Sequence, residues 1–205
     1  MTNTEPYDST SDTKQHIDTV RFYLGCFVED LNLRALNHDA SKLASPEKEA
    51  YDILTPRLAG LTYGSDEYRA SLSELKPTLQ HHYENNSHHP EHYLFWRCPL
   101  CAGIFDEASA PLLSTVVEKI RLCPRCCEHG TIMEAALEPA SGLFGFDLLD
   151  LVEMLCDWKA ASLRHADGDI QKSIEHNVGR FSLDPQIASI LRNTVMRMGL
   201  AERRR

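Results

Sequence analysis

Apolar residues recur at helical intervals along most of the chain. His16, Val20, Tyr23, Phe27 and Leu31 fall on one helical face, with Asp18, Arg21, Glu29 and Asp30 mostly elsewhere, which predicts a long first helix from near Thr13. Ser45 followed by Pro46 is a cap and first-turn pair, so a second helix is expected through Tyr51 and Leu54, weakened or ended by Thr55-Pro56. Ser65 caps a third from Asp66, with Tyr68, Leu72, Leu75 and Leu79 roughly on one side, a kink at Pro77, and His81-His82 at its end. Phe146 to Arg164 carries Leu148, Leu151, Val152, Leu155 and Trp158 as an apolar stripe among good helix formers. Two more helices are expected, Asp169 to Asn177 and Pro185 to Met198, separated by a turn region from Gly179 to Asp184.

Two stretches break this rhythm. The first dozen residues, rich in Thr, Ser and Asp, have no periodicity and read as a mobile tail. From Leu94 to Gly145, cysteines, prolines and short apolar runs replace the amphipathic pattern, which marks an insertion. The expected organisation is a tail over 1–12, a mainly α domain built from 13–93 and 146–198, and an inserted segment over 94–145.

Composition adds a class. Hydrophobic residues at 42% and charged residues at 25% are those of a globular protein. No apolar run is long enough to cross a bilayer and the amino terminus has no signal-like core, so a cytoplasmic protein is expected, with no membrane partner. A formal net charge of −9 disfavours a nucleic-acid backbone as partner.

Four of the seven cysteines form two C-P-x-C pairs, Cys98/Cys101 and Cys123/Cys126. A two-residue gap lets both thiolates of a tight turn face one ion, and the separation of the pairs suits a four-cysteine zinc site. Four sulfur donors close the coordination sphere, so this zinc is expected to be structural. Cys127 and His129 are alternative donors for the second pair, while Cys26 and Cys156, on apolar helix faces, read as core residues. Zinc ribbons resemble modules of nucleic-acid-binding proteins, but here Arg97, Lys119, Arg121 and Arg125 are balanced by Asp106, Glu107, Glu118 and Glu128.

The histidines cluster as well. His81, His82, His88, His89 and His92 fall within the single segment HHYENNSHHPEHY. Neutral imidazoles bind divalent ions and carboxylates supply charge and bridging oxygens. His82 and His88 are the candidate ligands, and His89-Pro90 is expected to shape the turn. Asn85, Asn86 and Glu91 are candidates for supporting the ligands or touching substrate.

His16 on a first helix, His38-Asp39, and Asp157 in a late helix resemble the H…HD…D pattern of the HD superfamily, whose members are helical and mostly metal-dependent phosphohydrolases. His38-Asp39-Ala40-Ser41-Lys42 also resembles the H-D-x-x-K form of the HD-GYP phosphodiesterases, though no G-Y-P motif is present. HDASKL, HHYENNSHHPEHY, DLVEMLCDWKAAS and DGDIQKSIEHNVGRF together resemble an uncharacterised family of phage and bacterial proteins, over most of residues 13–198. The resemblance implies an HD-like helical bundle; the inserted four-cysteine zinc ribbon, read from the cysteine spacing, is a departure from that family. It implies a divalent ion (manganese, magnesium, nickel, iron or zinc) held by His16, His38, Asp39 and Asp157, with His82 and His88 completing the site or binding a second ion. Asp150 is the alternative to Asp157.

In that reading Asp39 and Lys42 are catalytic: Asp39 orients the attacking water, and Lys42 approaches substrate phosphate. Arg164 is a further candidate for binding the phosphate, with Lys172 and Arg180 as neighbours in the same polar run. The function implied is hydrolysis of a nucleotide or another small phosphoester. The rival is a noncatalytic adaptor in which the ribbon docks a partner and the histidines brace the fold. A homodimer is compatible with both.

Overall fold

The computed structural model describes residues 7–59, 61, 66–110, 112–114, 119–126, 136–140, 142–164 and 168–201. The chain divides into two compact units, Met1–His38 and Asp39–Arg205.

The first unit is one helix, α1 (Thr10–Asn37). It begins within the stretch expected to be a tail, and no break interrupts its 28 residues. None of its residues is buried, and Val20, Tyr23, Phe27 and Cys26, expected to be core, are exposed. A lone helix has no second layer within its unit against which to bury a stripe.

The second unit opens with a 3-10 turn, Ala40–Leu43, entered through Asp39 in the left-handed region (φ 57°). Helix α2 (Glu47–Ala59) follows the cis Ser45–Pro46 peptide. It runs through Pro56 rather than ending there, because one proline removes a single backbone donor and the flanking turns keep theirs. The expected third helix is two: α3 (Asp66–Glu74) and α4 (Lys76–Asn85). Pro77 restarts the chain instead of kinking it; it occupies the first turn of α4, where a missing N–H costs nothing. The expected cap Ser65 lies outside the described residues.

After a short 3-10 turn, Pro90–His92, come, among the described residues, the strands β1 (Phe95–Arg97), β2 (Ile104–Asp106), β3 (Leu112–Ser114), β4 (Lys119–Arg121) and β5 (Glu138–Ala140). They form an antiparallel sheet ordered β2-β1-β5 and a separate β3-β4 pair. Trp96 is opposed by Phe105 on one side and Pro139 on the other.

The main core follows, built by α5 (Leu148–Ser162), α6 (Ile170–Arg180) and α7 (Pro185–Arg197). Each is started by an aspartate at its N-cap: Asp147, Asp169 and Asp184 accept backbone N–H bonds of the first turn. Ile170 and Ile174 of α6, Leu191 and Val195 of α7, and Leu151, Met154 and Leu155 of α5 are buried together with Phe181 and Leu183. Each such side chain contributes on the order of 1.5–3 kcal/mol by leaving water. Trp158 stacks parallel to Phe181 at 6.5 Å. The expected boundaries of these three helices agree with the structure to within a few residues at each end. Among the described residues, no helix is long and apolar enough to cross a membrane.

Candidate metal centres

The two C-P-x-C turns converge. The Sγ atoms of Cys98, Cys101, Cys123 and Cys126 all lie within 4.8 Å of one another. Cys98 to Cys126 is 3.9 Å and Cys101 to Cys123 is 3.8 Å. With zinc–sulfur bonds of about 2.3 Å, a tetrahedron has edges of about 3.8 Å, so these separations fit four thiolates around one ion. The first turn is closed by Ala102 N–H to the Cys98 carbonyl and Cys98 N–H to the Gly103 carbonyl, each at 2.9 Å.

Burial opposes ionisation of Cys98, yet amide N–H groups of Cys101 and Leu100 aimed at its sulfur bring it down to about 7. Cys126 is pushed up to about 12, by burial first and then by the other three sulfurs. Four crowded thiols split in this way because each thiolate formed disfavours the next. The alternative donors Cys127 and His129 lie outside the described residues. Nearby cations are already engaged: Arg121 pairs with Glu107 and lies 4.2 Å over the Trp96 ring, and Arg125 sits 5.3 Å over Phe105.

A second constellation forms within Asp39–Arg205. Asp39, His82, His88 and His89 each offer one ligand atom, and these atoms lie within 4.8 Å of one another. His82 Nε2 is 3.3 Å from Asp39 Oδ1 and 2.9 Å from His89 Nε2, and His88 Nε2 is 3.7 Å from the same Asp39 oxygen. Ligands 2.1 Å from a metal are spaced by about 3.0 Å in an octahedron and about 3.4 Å in a tetrahedron, and the three separations here, 2.9, 3.3 and 3.7 Å, lie within about 0.3 Å of that range. His82 and His88 are buried, while Asp39 and His89 are half-buried.

Local structure aims each group. Asp39 sits in a left-handed turn (φ 57°) that opens the second unit. His82 lies in the last turn of α4, and the chain then reverses so that His88 and His89 return toward it. The return is fastened to α5: buried Asp150 accepts from Ser87 Oγ and Tyr93 OH, both at 2.6 Å, while closing the α5 capping box. Buried Glu47, from the first turn of α2, contacts His81 Nδ1 at 2.8 Å and His82 Nδ1 at 2.9 Å. Glu153 of α5 lies 3.1 Å from His88 Nδ1.

Two groups of this constellation titrate away from their ordinary values. Burial works to raise the Glu47 carboxyl, but hydrogen bonds from His81 and Ser41 and the charge of His82 hold it below the ordinary range. Burial first, and then the neighbouring His88 and His82, depress His89 to about 3. Lys42 Nζ is 2.5 Å from Asp39 Oδ2 and 5.3 Å from the centre of the Tyr51 ring.

Of the residues expected here, Asp39, His82 and His88 come together, and Asp157 brings a carboxylate oxygen within 4.8 Å of that of Asp39. His16 does not join His38. Both belong to the first unit, and a continuous helix of 1.5 Å rise separates them by roughly 30 Å, too far for one ion. His38 ends that unit, one peptide bond before Asp39. His89, expected only to shape the turn, is one of the converging groups. Asp150, the alternative to Asp157, is instead the anchor of the histidine return. Arg164 is exposed beyond the end of α5, two turns and roughly 10 Å along from Asp157, and Arg180 is paired with Glu91 at 2.6 Å. His165 and Asp167 lie outside the described residues. Glu47 has no signal in sequence, since an acid in a first helical turn is ordinary.

No curated protein and no solved structure matches the chain. A family model matches residues 5–109 and 133–197, so it takes in Cys98 and Cys101, the whole histidine segment and α5, and omits the interval that holds Cys123 and Cys126. The chain belongs to the family of unknown function DUF5662.

Proposed function

We propose that this protein is a metal-dependent phosphohydrolase acting on a nucleotide or other small phosphoester, with a separate zinc ion held by the four cysteines for structure. The observation that carries the reading is the convergence of His82 Nε2, His88 Nε2, His89 Nε2 and an Asp39 oxygen at ligand-to-ligand spacing on a half-buried surface.

Three imidazoles and one carboxylate suit zinc, iron, nickel or cobalt better than magnesium, which prefers oxygen donors. Such an ion supplies Lewis-acid chemistry at a phosphoryl group. The residues do the rest. Asp39 offers one oxygen to the ligand set and the other to Lys42, which presents an ammonium group beside the site to receive a phosphoryl oxygen. Asp157, within reach of Asp39, orients water at the site. The sequence resemblance to the HD superfamily supports the reaction class, and the presence of Asp39, Lys42 and Asp157 in one place supports the site.

The test is phosphate release from a panel of nucleotides by purified protein supplied with cobalt, nickel, manganese or iron. The expected result is turnover with at least one ion, abolished by Asp39→Ala with the fold intact. Binding of a second ion without turnover of any phosphoester would replace this reading with that of a noncatalytic metal-binding protein.

A further inference from the structure

The hydrogen-bond donors around Glu47 constrain which ring nitrogen of His82 carries its hydrogen. Asn86 has two amide hydrogens, and they reach the His82 carbonyl at 2.7 Å and Ser41 Oγ at 2.9 Å. Ser41 Oγ accepts from Asn86 and lies 3.3 Å from His82 Nδ1, and its own hydrogen helps to hold the Glu47 carboxylate ionised. Asn86 Nδ2 also passes 3.1 Å from His82 Nδ1, but its hydrogens are already placed. The Glu47 carboxylate, fully buried, accepts only. Its Oε2 lies 2.9 Å from His82 Nδ1, so that nitrogen is the donor and carries the hydrogen. His82 Nε2 is then left with a lone pair, directed at Asp39 Oδ1 and His89 Nε2.

We infer that Glu47 is a positioning residue of the His/Asp centre: it fixes His82 as the tautomer whose Nε2 can bind a metal, and raises the donor strength of that nitrogen. This rests on reading the centre as a metal site. Glu47 reaches the centre from α2, far in sequence from the histidine segment. Its second oxygen takes His81 Nδ1 at 2.8 Å, which ties both ends of the carboxylate and leaves it one orientation. His81, with its side chain 37% exposed, is thereby a brace for Glu47 and not a ligand. Carboxylates in this position typically alter metal affinity ten- to a hundredfold on mutation.

The experiment uses full-length protein with the cysteine site filled by zinc, and titrates cobalt(II) into the His/Asp centre against a chromophoric chelator. Glu47→Gln should bind cobalt about 10- to 100-fold more weakly than wild type, with unchanged circular dichroism and unchanged zinc content. His81→Ala should bind within about threefold of wild type, since His82 keeps its acceptor. Glu47→Gln binding as tightly as wild type would overturn the inference. Should Glu47→Gln fail to fold, long-range nitrogen–proton spectra of the histidine rings in wild type decide: a hydrogen on His82 Nδ1 supports the assignment, and a hydrogen on Nε2 overturns it. A wild-type protein that binds no cobalt overturns the metal reading itself, an outcome distinct from failure of the Glu47 variant alone.

Discussion

Ser87 Oγ donates to Asp150 Oδ1 at 2.6 Å although 63 positions separate the two residues, and this bond joins the histidine return to the first turn of α5. Tyr93 OH donates to the other Asp150 oxygen at 2.6 Å, so one buried carboxylate closes both ends of the segment that carries His88 and His89. Fit against Gly145 tightens the same junction: a Cβ there would come 2.2 Å from the Tyr93 ring.

Asp150→Ala should therefore act on two readouts together. It leaves two hydroxyls without their acceptor and removes half of a capping box, a loss of about 2–4 kcal/mol of unfolding free energy. It should also weaken cobalt binding at the His/Asp centre, because His88 and His89 lose their anchor. Urea unfolding and metal titration check the pair. A variant with lowered stability but full metal affinity would show that the return is held by other contacts.

The four-sulfur site should be structurally local. Cys123→Ser removes a buried donor from a set whose spacing fits one zinc ion, so purified protein should lose one equivalent of tightly bound zinc. Amide exchange should rise across β1, β2 and the two cysteine turns. The core of α5, α6 and α7 carries its own apolar cluster and should retain protection. Loss of protection across that core as well would make zinc binding a condition for folding the whole second unit.

Much of this was legible in sequence, for reasons that differ by residue. The helices from Leu148 onward could be read because their stripes are long and each begins at a capping aspartate. The cysteine pairs could be read because ligand spacing within a turn is a local property. His16 misled because a histidine on a helical face looks the same whether or not its helix turns back, and α1 has no break before Asn37. His89 carries no separate signal in sequence because the following Pro90 explains a turn by itself, while its approach to His82 depends on the reversal of the chain. The pairing of Glu47 with His81 and His82 spans α2 to α4, and no local pattern encodes it.

The unequal roles of the histidines give a direct comparison. His88→Ala removes a buried imidazole whose Nε2 faces Asp39 and should abolish tight cobalt binding at the His/Asp centre. His16→Ala alters an exposed side chain roughly 30 Å along α1 from His38 and should leave that affinity unchanged. Isothermal titration of both variants is sufficient. A drop in affinity for His16→Ala would mean that α1 is not the continuous helix described.

Acid should destabilise the metal-free protein through His89. Its folded value of about 3 lies below the ordinary value of 6.5, so below pH 6.5 the unfolded chain binds a proton that the folded chain does not. Unfolding free energy then falls as pH drops from about 6.5 toward 3, and above 6.5 this contribution is constant. Glu47 acts in the same sense at the lower end, since a depressed carboxyl loses its stabilising effect as pH falls through its folded value. Denaturant melts between pH 7.5 and 4.5 should show the decline, and His89→Phe should flatten its upper part.

Lys42 separates binding from turnover. Its ammonium group lies 2.5 Å from Asp39 Oδ2 and against the Tyr51 ring, beside the ligand set but not part of it, since an ammonium has no lone pair to donate. In a phosphohydrolase its charge is felt most where negative charge builds on the phosphoryl oxygens. Lys42→Met keeps most of the unbranched side chain and removes the ammonium with its approach to Tyr51, so cobalt affinity should change by less than about tenfold, the charge of Asp39 now acting undivided on the ion. Phosphate release should fall by about 100- to 1000-fold, the size of effect expected when one preorganised donor to a developing oxyanion is removed. Single-turnover kinetics with saturating metal distinguish the two effects. Full activity in this variant would remove Lys42 from the reaction and leave Asp39 and the imidazoles as the whole of the chemistry.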